Sequence, residues 1–333
     1  RLVNSPDEME KMFSSATSEA LAAFGNGFLY LEKYLHHPRH IEVQILGDHY
    51  GHILHFFERE CSLQRKHQKI LEEAPSPALT DKIRAKLVNA ALAIARAVGY
   101  SSAGTFEFLL DQKSQKFYFI EANTRIQVEH PITEAITGID LVAWQIRIAQ
   151  GEPLTLNQKE IEINGHSIEC RINAEDASRG FASSTGQVQQ VIFPSGLGIR
   201  VDSHLYSGYE IPGLYDSLLA KIIVHGKDRK EAINRMVRAL KETYIMGIPT
   251  LIPLHLFLLL HPQFQAGNYS IHFLEEVLPQ YPASEEDEET AGALISALLE
   301  WERKLQGTVI QPRETPTAGI WSILGRDDLT RGR

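Results

Sequence analysis

Cysteine is scarce in this chain: Cys61 and Cys170 are the two in 333 residues. So few cysteines exclude a disulfide framework and a cysteine-built zinc cluster, and they fit a reducing compartment. Positive charge is in deficit as well, with 33 Lys and Arg against 42 Asp and Glu, a formal net charge of −9. That balance speaks against a broad nucleic-acid-binding face but leaves room for a local anion pocket. Apolar runs such as residues 256–260 are too short to span a membrane. No signal-peptide pattern is visible. The chain opens on Arg1-Leu2-Val3, as if in mid-strand, and a preceding segment is expected. What is present is ordinary globular composition, 43% hydrophobic and 23% charged, which excludes wholesale disorder. At roughly 100–200 residues per domain the length supports two or three domains.

Along the chain, Ser5-Pro6-Asp7-Glu8 has the form of a helix start, with Ser5 as cap, Pro6 in the first turn and Glu8 closing a capping box. Met9, Phe13, Ala16, Ala20 and Phe24 follow at helical spacing, and Gly25 ends the pattern. Residues 28–35, 40–46 and 52–60 read as strands. In the second of these, Ile41, Val43 and Ile45 share one face and His40, Glu42 and Gln44 the other. A polar stretch occupies residues 59–69. Thr80 caps a helix to about Val98, closed by Gly99, and Asp140 caps another that Gly151 ends. Strands with glycine-rich turns are expected over 161–224, a helix over 229–243, and an acidic helix from Ser284, followed by a tail of little pattern. Helices and strands mix without strict alternation, which predicts α+β or mixed α/β architecture.

Four clusters carry chemistry. Residues 105–110 and 117–121 form an expected hairpin, and a turn centred near Ser114 sets Glu107 opposite Glu121. Like charges so placed are destabilising unless compensated. A divalent cation would do so, with Asn123 as a neutral oxygen donor; two solvated glutamates in a shifted register are the alternative. Asn123-Thr124-Arg125-Ile126-Gln127-Val128-Glu129-His130-Pro131 packs a cation, two amides, a carboxylate and an imidazole together. Either Arg125 clamps an oxyanion with Glu129 as general base, or the two form a salt bridge that holds a loop. His130, preceding a proline, suits a turn cap. In the stretch 64–69, Gln64, Lys66, His67 and Lys69 either meet phosphates or form a solvated face. Cys170 is expected in the core, and Arg171 beside it would pair with Glu175 or Asp176 if its role were structural.

Taken together, Gln64-Arg65-Lys66-His67-Gln68-Lys69, Phe106-Glu107-Phe108, the run from Phe119-Ile120-Glu121 to Glu129-His130-Pro131, Glu169-Cys170-Arg171-Ile172-Asn173-Ala174-Glu175-Asp176 and Tyr215-Asp216-Ser217-Leu218-Leu219-Ala220-Lys221 resemble the biotin carboxylase family. The resemblance runs from Arg1 to about Val277. It implies an α+β, ATP-grasp fold with an antiparallel central sheet. The implied divisions are a lid remnant over 1–34, the ATP-grasp subdomain over 35–158, a C-terminal domain over 159–280 and an acidic helical tail over 281–333. It also implies that ATP phosphorylates bicarbonate and that the resulting CO₂ is captured by biotin on a carrier domain.

Roles follow from the same resemblance. Glu107, Glu121 and Asn123 would hold Mg²⁺ or Mn²⁺, as two ions. Arg125, Gln127 and the Val128 backbone would bind bicarbonate, and Glu129 would deprotonate it. Arg171 would stabilise the biotin enolate, and Lys69 would neutralise charge nearby. For ATP, Glu32, Lys33 and Leu35 match the adenine hinge; His40, Gln64 and His67 match ribose and phosphate contacts; Glu42 belongs to the same wall; Leu109 and Ile248 would flank the base. The expected partners are a biotin carboxyl carrier domain, a carboxyltransferase and a second copy of the chain, with no nucleic acid and no membrane. The acceptor expected downstream is acetyl-CoA, or another acyl-CoA or pyruvate. No Ala-Met-Lys-Met biotinylation motif occurs, so biotin would not be attached here. A cytoplasmic location is expected, with mitochondrial matrix and plastid open.

The chain departs from the pattern in three places. The family's N-terminal Rossmann-like domain, glycine-rich lid loop and lid lysines are not in this sequence, so weak ATP binding and negligible turnover are expected of it alone, with apolar surface bared on the Phe13/Ala16/Ala20 helix. Phe181-Ala182-Ser183-Ser184-Thr185-Gly186 and Pro212-Gly213 lack prolines usual in the family, which loosens those loops. The competing expectations are another ATP-grasp carboxylate ligase and a non-catalytic interaction module.

Overall fold

The computed structural model describes residues 1–282 together with Leu298 and Trp301. Arg1–Tyr281 form one compact unit; the expected acidic helix from Ser284 and the tail lie outside the described residues.

The centre of the unit is an eight-stranded antiparallel sheet. Its strands are β1 (Arg39–Gly47), β2 (Ile53–Arg65), β3 (Gln68–Ala74), β4 (Ser102–Asp111), β5 (Lys116–Asn123), β6 (His166–Asn173), β11 (Ile199–Ser203) and β13 (Leu218–Gly226). Their order is β11-β13-β6-β3-β2-β1-β4-β5. Short ribbons pair β7 (Glu175–Asp176) with β8 (Ala182–Ser183), β9 (Gly186–Gln187) with β12 (Glu210–Ile211), and β10 (Gln190–Ile192) with β14 (Tyr244–Met246). The expected α+β fold is therefore the one observed.

The period-two pattern of β1 sorts its side chains as predicted. Ile41, Val43 and Ile45 pack with Phe106, Phe108 and the Leu87, Ala91 and Ala95 stripe of α2 (Asp81–Ala97). That leaves His40, Glu42 and Gln44 on the opposite face. Over that face lie α3 (His130–Thr137) and α4 (Leu141–Ala149). At the other end of the sheet, Cys170, Ile172, Ile222 and Val224 pack against Met236 of α5 (Arg229–Glu242) and Leu254 and Leu258 of α6 (Ile252–Leu260). Cys170 is thus the core residue it was expected to be. The caps also hold: Thr80 Oγ1 accepts from Ile83 N at 3.4 Å and Asp140 Oδ1 from Ala143 N at 2.7 Å.

Several local expectations are corrected. Residues 28–35 form no strand; Phe28, Tyr30 and Leu31 are exposed and pair with nothing in the sheet. Phe28-Leu29-Tyr30-Leu31 is a continuous apolar run, and no strand edge among the described residues receives it. Ser5 makes no side-chain cap, and Glu8 instead accepts from Asn4 N at 3.1 Å. Helix α1 (Met9–Phe24) forms and ends at Gly25 in the left-handed region, φ +69°, but none of its residues is buried. The polar stretch, left without an element by the sequence, is part of the sheet. It is the end of β2, a tight turn at Lys66 and His67, and the start of β3. Both turn residues have positive φ, 47° and 67°, the geometry that joins two strands by two residues and that glycine or asparagine adopts more cheaply.

The β4–β5 hairpin reaches the expected pairing by an unexpected route. Near its turn Asp111 pairs with Lys116 and Phe108 with Phe119, a register that would set Glu107 against Ile120. One extra residue on β5, a β-bulge at Ile120, shifts the ladder so that Glu107 faces Glu121 and Thr105 faces Asn123.

A buried polar cluster ties β1 to the far end of the unit. The fully buried Arg39 donates from Nε to Glu60 Oε2 at 3.1 Å and from a terminal nitrogen to the Gly267 carbonyl at 3.1 Å, and lies 3.8 Å from the Tyr269 ring centroid. Removing one partner of a buried pair leaves the other charge unpaired. Arg39→Ala is therefore expected to cost about 3–5 kcal/mol, measured by urea unfolding followed by circular dichroism.

Candidate active site

The polar face of the sheet opens into a cleft of about 600 Å³. It is lined by His40 from β1, Gln64 from β2, His67 from the turn and Lys69 from β3, and by Glu107, Leu109, Glu121 and Asn123 from the β4–β5 hairpin. The segment before α3 adds Arg125, Gln127, Val128 and Glu129, and β6 adds Arg171. Residues far apart in sequence thus meet in one cavity.

Its floor is a network of buried charges. Glu129 is fully buried. Its Oε1 accepts from Lys69 Nζ at 2.7 Å and its Oε2 from an Arg171 terminal nitrogen at 2.9 Å. Lys69 also donates to Glu107 Oε1 at 3.1 Å and to Glu42 Oε2 at 2.5 Å. Arg171 Nε donates to Glu72 Oε1 at 2.7 Å. Behind Glu42 stands Arg59, also fully buried, which donates to Glu42 Oε1 at 2.6 Å, Gln44 Oε1 at 2.7 Å, Thr133 Oγ1 at 3.0 Å and Thr105 Oγ1 at 3.1 Å.

Titration follows this wiring. Burial opposes ionisation of Glu42, but Lys69 and Arg59 more than offset it and hold the carboxyl down at about 2. Burial likewise opposes ionisation of Glu107, which the His40 hydrogen bond and Lys69 bring to about 2. Burial alone would lower the Lys69 pKa, yet Glu42 and the other acidic groups around it raise it well above the ordinary amine value. Arg171, also buried, is raised by Glu72 and Glu129.

The metal-type carboxylate pair is built as the hairpin register predicts. Asn123 Nδ2 bridges it, donating to Glu107 Oε1 at 3.0 Å and Glu121 Oε1 at 3.1 Å. Glu107 also accepts from Gln127 Nε2 at 2.9 Å, and its Oε2 lies 2.9 Å from His40 Nε2. Two facing carboxylates and a neighbouring amide are hard oxygen donors and fit a Mg²⁺-class cation. Glu107, Glu121 and Asn123 would hold it, the amide turning to present its oxygen.

Other expectations sort unevenly. Arg125 is exposed and donates to the Ile126 carbonyl at 3.3 Å. Among the described residues no ion pair joins it to Glu129, so the loop-holding salt bridge is not what Glu129 does. Arg171 pairs with Glu72 and Glu129, not with Glu175 or Asp176. His130 Nδ1 lies 2.7 Å from the Gln127 carbonyl, as a turn cap would. Val128 gives its carbonyl to Lys221 Nζ at 2.8 Å. Glu42 sits beneath the cleft. Ile248 lies in a separate apolar cluster with Ala174, Val188, Ile211 and Leu219. Glu32, Lys33 and Leu35 do not line the cavity, although Lys33 Nζ donates to the Tyr118 hydroxyl at 3.0 Å, and Tyr118 pairs with Leu109.

Sequence reasoning missed Arg59 and Glu72. Arg59 stands at the head of the polar stretch, but a bulge between Ile45 and Val43 resets the ladder before Arg59 meets Glu42, so strand alternation alone does not place it there. Glu72 stands with Glu73 directly after Ile70-Leu71, and adjacent acids inside an apolar strand mark buried partners.

An antiparallel sheet carrying facing carboxylates over a polar cleft is the ATP-grasp architecture. The Carbamoyl-phosphate synthase L chain, ATP binding domain matches residues 1–157, and the Biotin carboxylase C-terminal domain matches residues 169–276. The chain belongs to the biotin carboxylase family. It is 54% identical over 277 residues to the Biotin carboxylase of Nostoc sp., covering 83% of this chain and 62% of that protein. It is 50% identical over 275 residues to Biotin carboxylase 1 of Bacillus subtilis, covering 83% of this chain and 61% of that protein. Among solved structures it is similar, with a TM-score of 0.78 and 47% identity, to the biotin carboxylase domain dimer of Hydrogenobacter thermophilus 2-oxoglutarate carboxylase in complex with MgADP, ADP and bicarbonate, covering 86% of this chain and 63% of that one. The chain thus spans about three fifths of the length of these relatives. Among the described residues no helix is long and apolar enough to cross a membrane.

Lys69 gives a pH prediction. Glu42 and Glu107 titrate near 2 when folded, against an ordinary value of 4.5. Their stabilisation is therefore fully present above about pH 4.5 and is lost as pH falls toward 2. Lys69→Met should raise the midpoint of acid unfolding and lower stability at pH 7 by about 3 kcal/mol or more, read from circular dichroism across pH.

Proposed function

We propose that this chain carries the ATP-dependent carboxylation site of a biotin-dependent carboxylase, in which bicarbonate is activated as carboxyphosphate and its CO₂ passes to biotin on a separate carrier domain. The observation that carries this is Glu129: a fully buried carboxylate at the cleft floor, gripped on one oxygen by Lys69 and on the other by Arg171. A candidate base is held there beside a cation-type carboxylate pair.

Arg125, exposed at the cleft wall, supplies a planar donor for the bicarbonate oxygens. Glu129 takes the bicarbonate proton, and Lys69 and Arg171 fix the positions of its two oxygens. Glu107, Glu121 and Asn123 hold Mg²⁺ or Mn²⁺, as two ions, whose role is to neutralise phosphate charge during transfer. His40, Gln64 and His67 face the ribose and phosphates. The adenine lies toward Leu109 and the hinge of Glu32, Lys33 and Leu35, which the Lys33–Tyr118 hydrogen bond ties to β5. Arg171 then stabilises the negative oxygen that develops on the biotin ureido group. We assign the acyl acceptor to acetyl-CoA, with carboxyltransferase and carrier domain as partners and a second copy of the chain as dimer mate. Lacking the family's lid loop, these 333 residues alone are proposed to bind ATP weakly and turn over negligibly.

The test is ADP release by the open reading frame that carries this chain, with bicarbonate, with and without free biotin. Biotin stimulation is expected. Glu129→Gln should lower the bicarbonate-dependent rate by about 10²–10⁴-fold, and Arg171→Ala should remove the biotin stimulation while leaving the basal rate closer to wild type. Bicarbonate-dependent ATP cleavage indifferent to biotin would assign the chain to another ATP-grasp ligase. A folded protein that cleaves no ATP would make it an interaction module.

A further inference from the structure

Directly behind Arg171 lies a second pair of facing carboxylates that the proposed reaction does not use. Glu72 on β3 and Glu169 on β6 are direct ladder partners, and both are fully buried. Facing positions place side chains within contact distance. Glu72 spends Oε1 on Arg171, while its Oε2 and both oxygens of Glu169 find no donor among the described residues.

Two ionised carboxylates cannot be left in this state. A buried charge without a hydrogen-bond donor is far more costly than a neutral acid. Carboxyl groups that share a site relieve the conflict by keeping a proton between them. Lys221 and Arg171 stand near enough to favour the ionised form of Glu169 in part, but neither donates to it among the described residues. Arg171, two residues along β6, is committed to Glu72 and Glu129. Lys221 of β13 is drawn to the Val128 carbonyl at 2.8 Å and Asp202 at 3.4 Å. Lys69 of β3 faces Glu42, Glu107 and Glu129. The buried Cys61 thiol of β2 is the further titratable group nearby. From α3, Ile132 and Ile136 add apolar surface, packed with Ile223 of β13, while its titratable residues are engaged elsewhere, His130 with the Gln127 carbonyl and Glu134 with Leu141 N and Arg200.

We propose that Glu72 and Glu169 hold one proton between them at neutral pH, with Glu169 as the neutral acid, and that Glu169 is in this way a positioning residue for Arg171. The second half rests on the function proposed above; the first does not. With Glu169 neutral, two carboxylates, Glu72 and Glu129, share one guanidinium, and Arg171 spans both. With Glu169 ionised, a third negative charge would stand behind Arg171 and draw it away from Glu129. Titration agrees in direction: burial and then Glu72 push Glu169 well above the ordinary carboxyl value, while burial, only partly offset by Arg171, raises Glu72 to about 7.

The sign of the linkage defines the experiment. A carboxyl whose pKa rises on folding stabilises the folded chain relative to its ionised form below its unfolded pKa, and that advantage is lost as pH rises toward the folded pKa. Glu169→Gln keeps the shape and the hydrogen-bond donor but cannot ionise. Urea unfolding of the 333-residue chain and of this variant, from pH 5 to 8, compares them directly. The wild-type unfolding constant should rise relative to the variant by up to about tenfold per pH unit. Glu169→Leu, which cannot donate to Glu72, should be less stable than Glu169→Gln at every pH. A wild-type-to-Gln ratio that stays flat across this range would overturn the shared proton, whatever the enzyme does.

The positioning role is read in the open reading frame, as ADP release against pH with and without biotin. Glu169→Gln should keep the wild-type rate near pH 7 within about twofold and retain biotin stimulation at higher pH, where wild type loses it. Identical pH profiles would overturn the link to Arg171 while leaving the proton in place. Absence of biotin stimulation in wild type would overturn the proposed function instead.

Discussion

Lys69 is the residue on which the centre of this molecule depends. Three carboxylates from three different segments, Glu42, Glu107 and Glu129, converge on one ammonium group. Without that cation the polar face of the sheet would be a set of mutually repelling buried anions, and strands β1, β3 and β4 could not share one sheet with this sequence. Arg59 and Arg171 extend the same logic outward, to Gln44 and Thr133 on one side and to Glu72 on the other. In a low-dielectric interior each of these pairs is strong only while its partners are present. The network therefore fixes both the fold and the protonation state of its members: Glu42 and Glu107 remain ionised to far lower pH than free carboxyls do.

Strand β3 distributes this charge. Its neighbours Glu72 and Glu73 point to opposite faces, as successive residues of a strand must. Glu72 reaches Arg171 at the cleft. Glu73 accepts from Arg229 at 2.7 Å and 3.0 Å and from His166 at 2.7 Å, and meets the Tyr269 hydroxyl, all away from the cleft. Burial opposes the ionisation of Glu73, and Arg229 and His166 overcome it. The pairing of β3 with β6 also joins the two family-matched segments, residues 1–157 and 169–276, into one sheet. Arg171 reaches Glu129 across that seam, so the floor of the cleft is built from both segments at once.

Much of this was legible in the sequence, for definable reasons. Alternation in β1 depends only on a period of two, and caps at Thr80 and Asp140 depend on a few adjacent residues; both signals are local. The cleft residues from Glu107 to Glu129 were legible because unusual side chains are dense along a short stretch. What escaped was non-local. Residues 28–35 are apolar enough for a strand but join no edge among the described residues. Ile248 is an apolar residue whose partners, Val188 and Leu219, only the fold reveals. Arg59, Glu72 and Glu169 are ordinary charged residues until the ladder sets them opposite one another. Even the Glu107–Glu121 pairing, anticipated correctly, arises from a turn offset by half a residue and a bulge that makes up the difference.

The bulge in β5 decides which side chain meets Glu107. In the register set by the turn, Ile120 would face Glu107 and Glu121 would face Phe106. One unpaired residue moves the ladder by a single step and turns an apolar partner into a second carboxylate. The chemistry of the cleft mouth thus hangs on a local irregularity of the backbone: straightening β5 would keep every residue and every strand yet take the two oxygen donors apart.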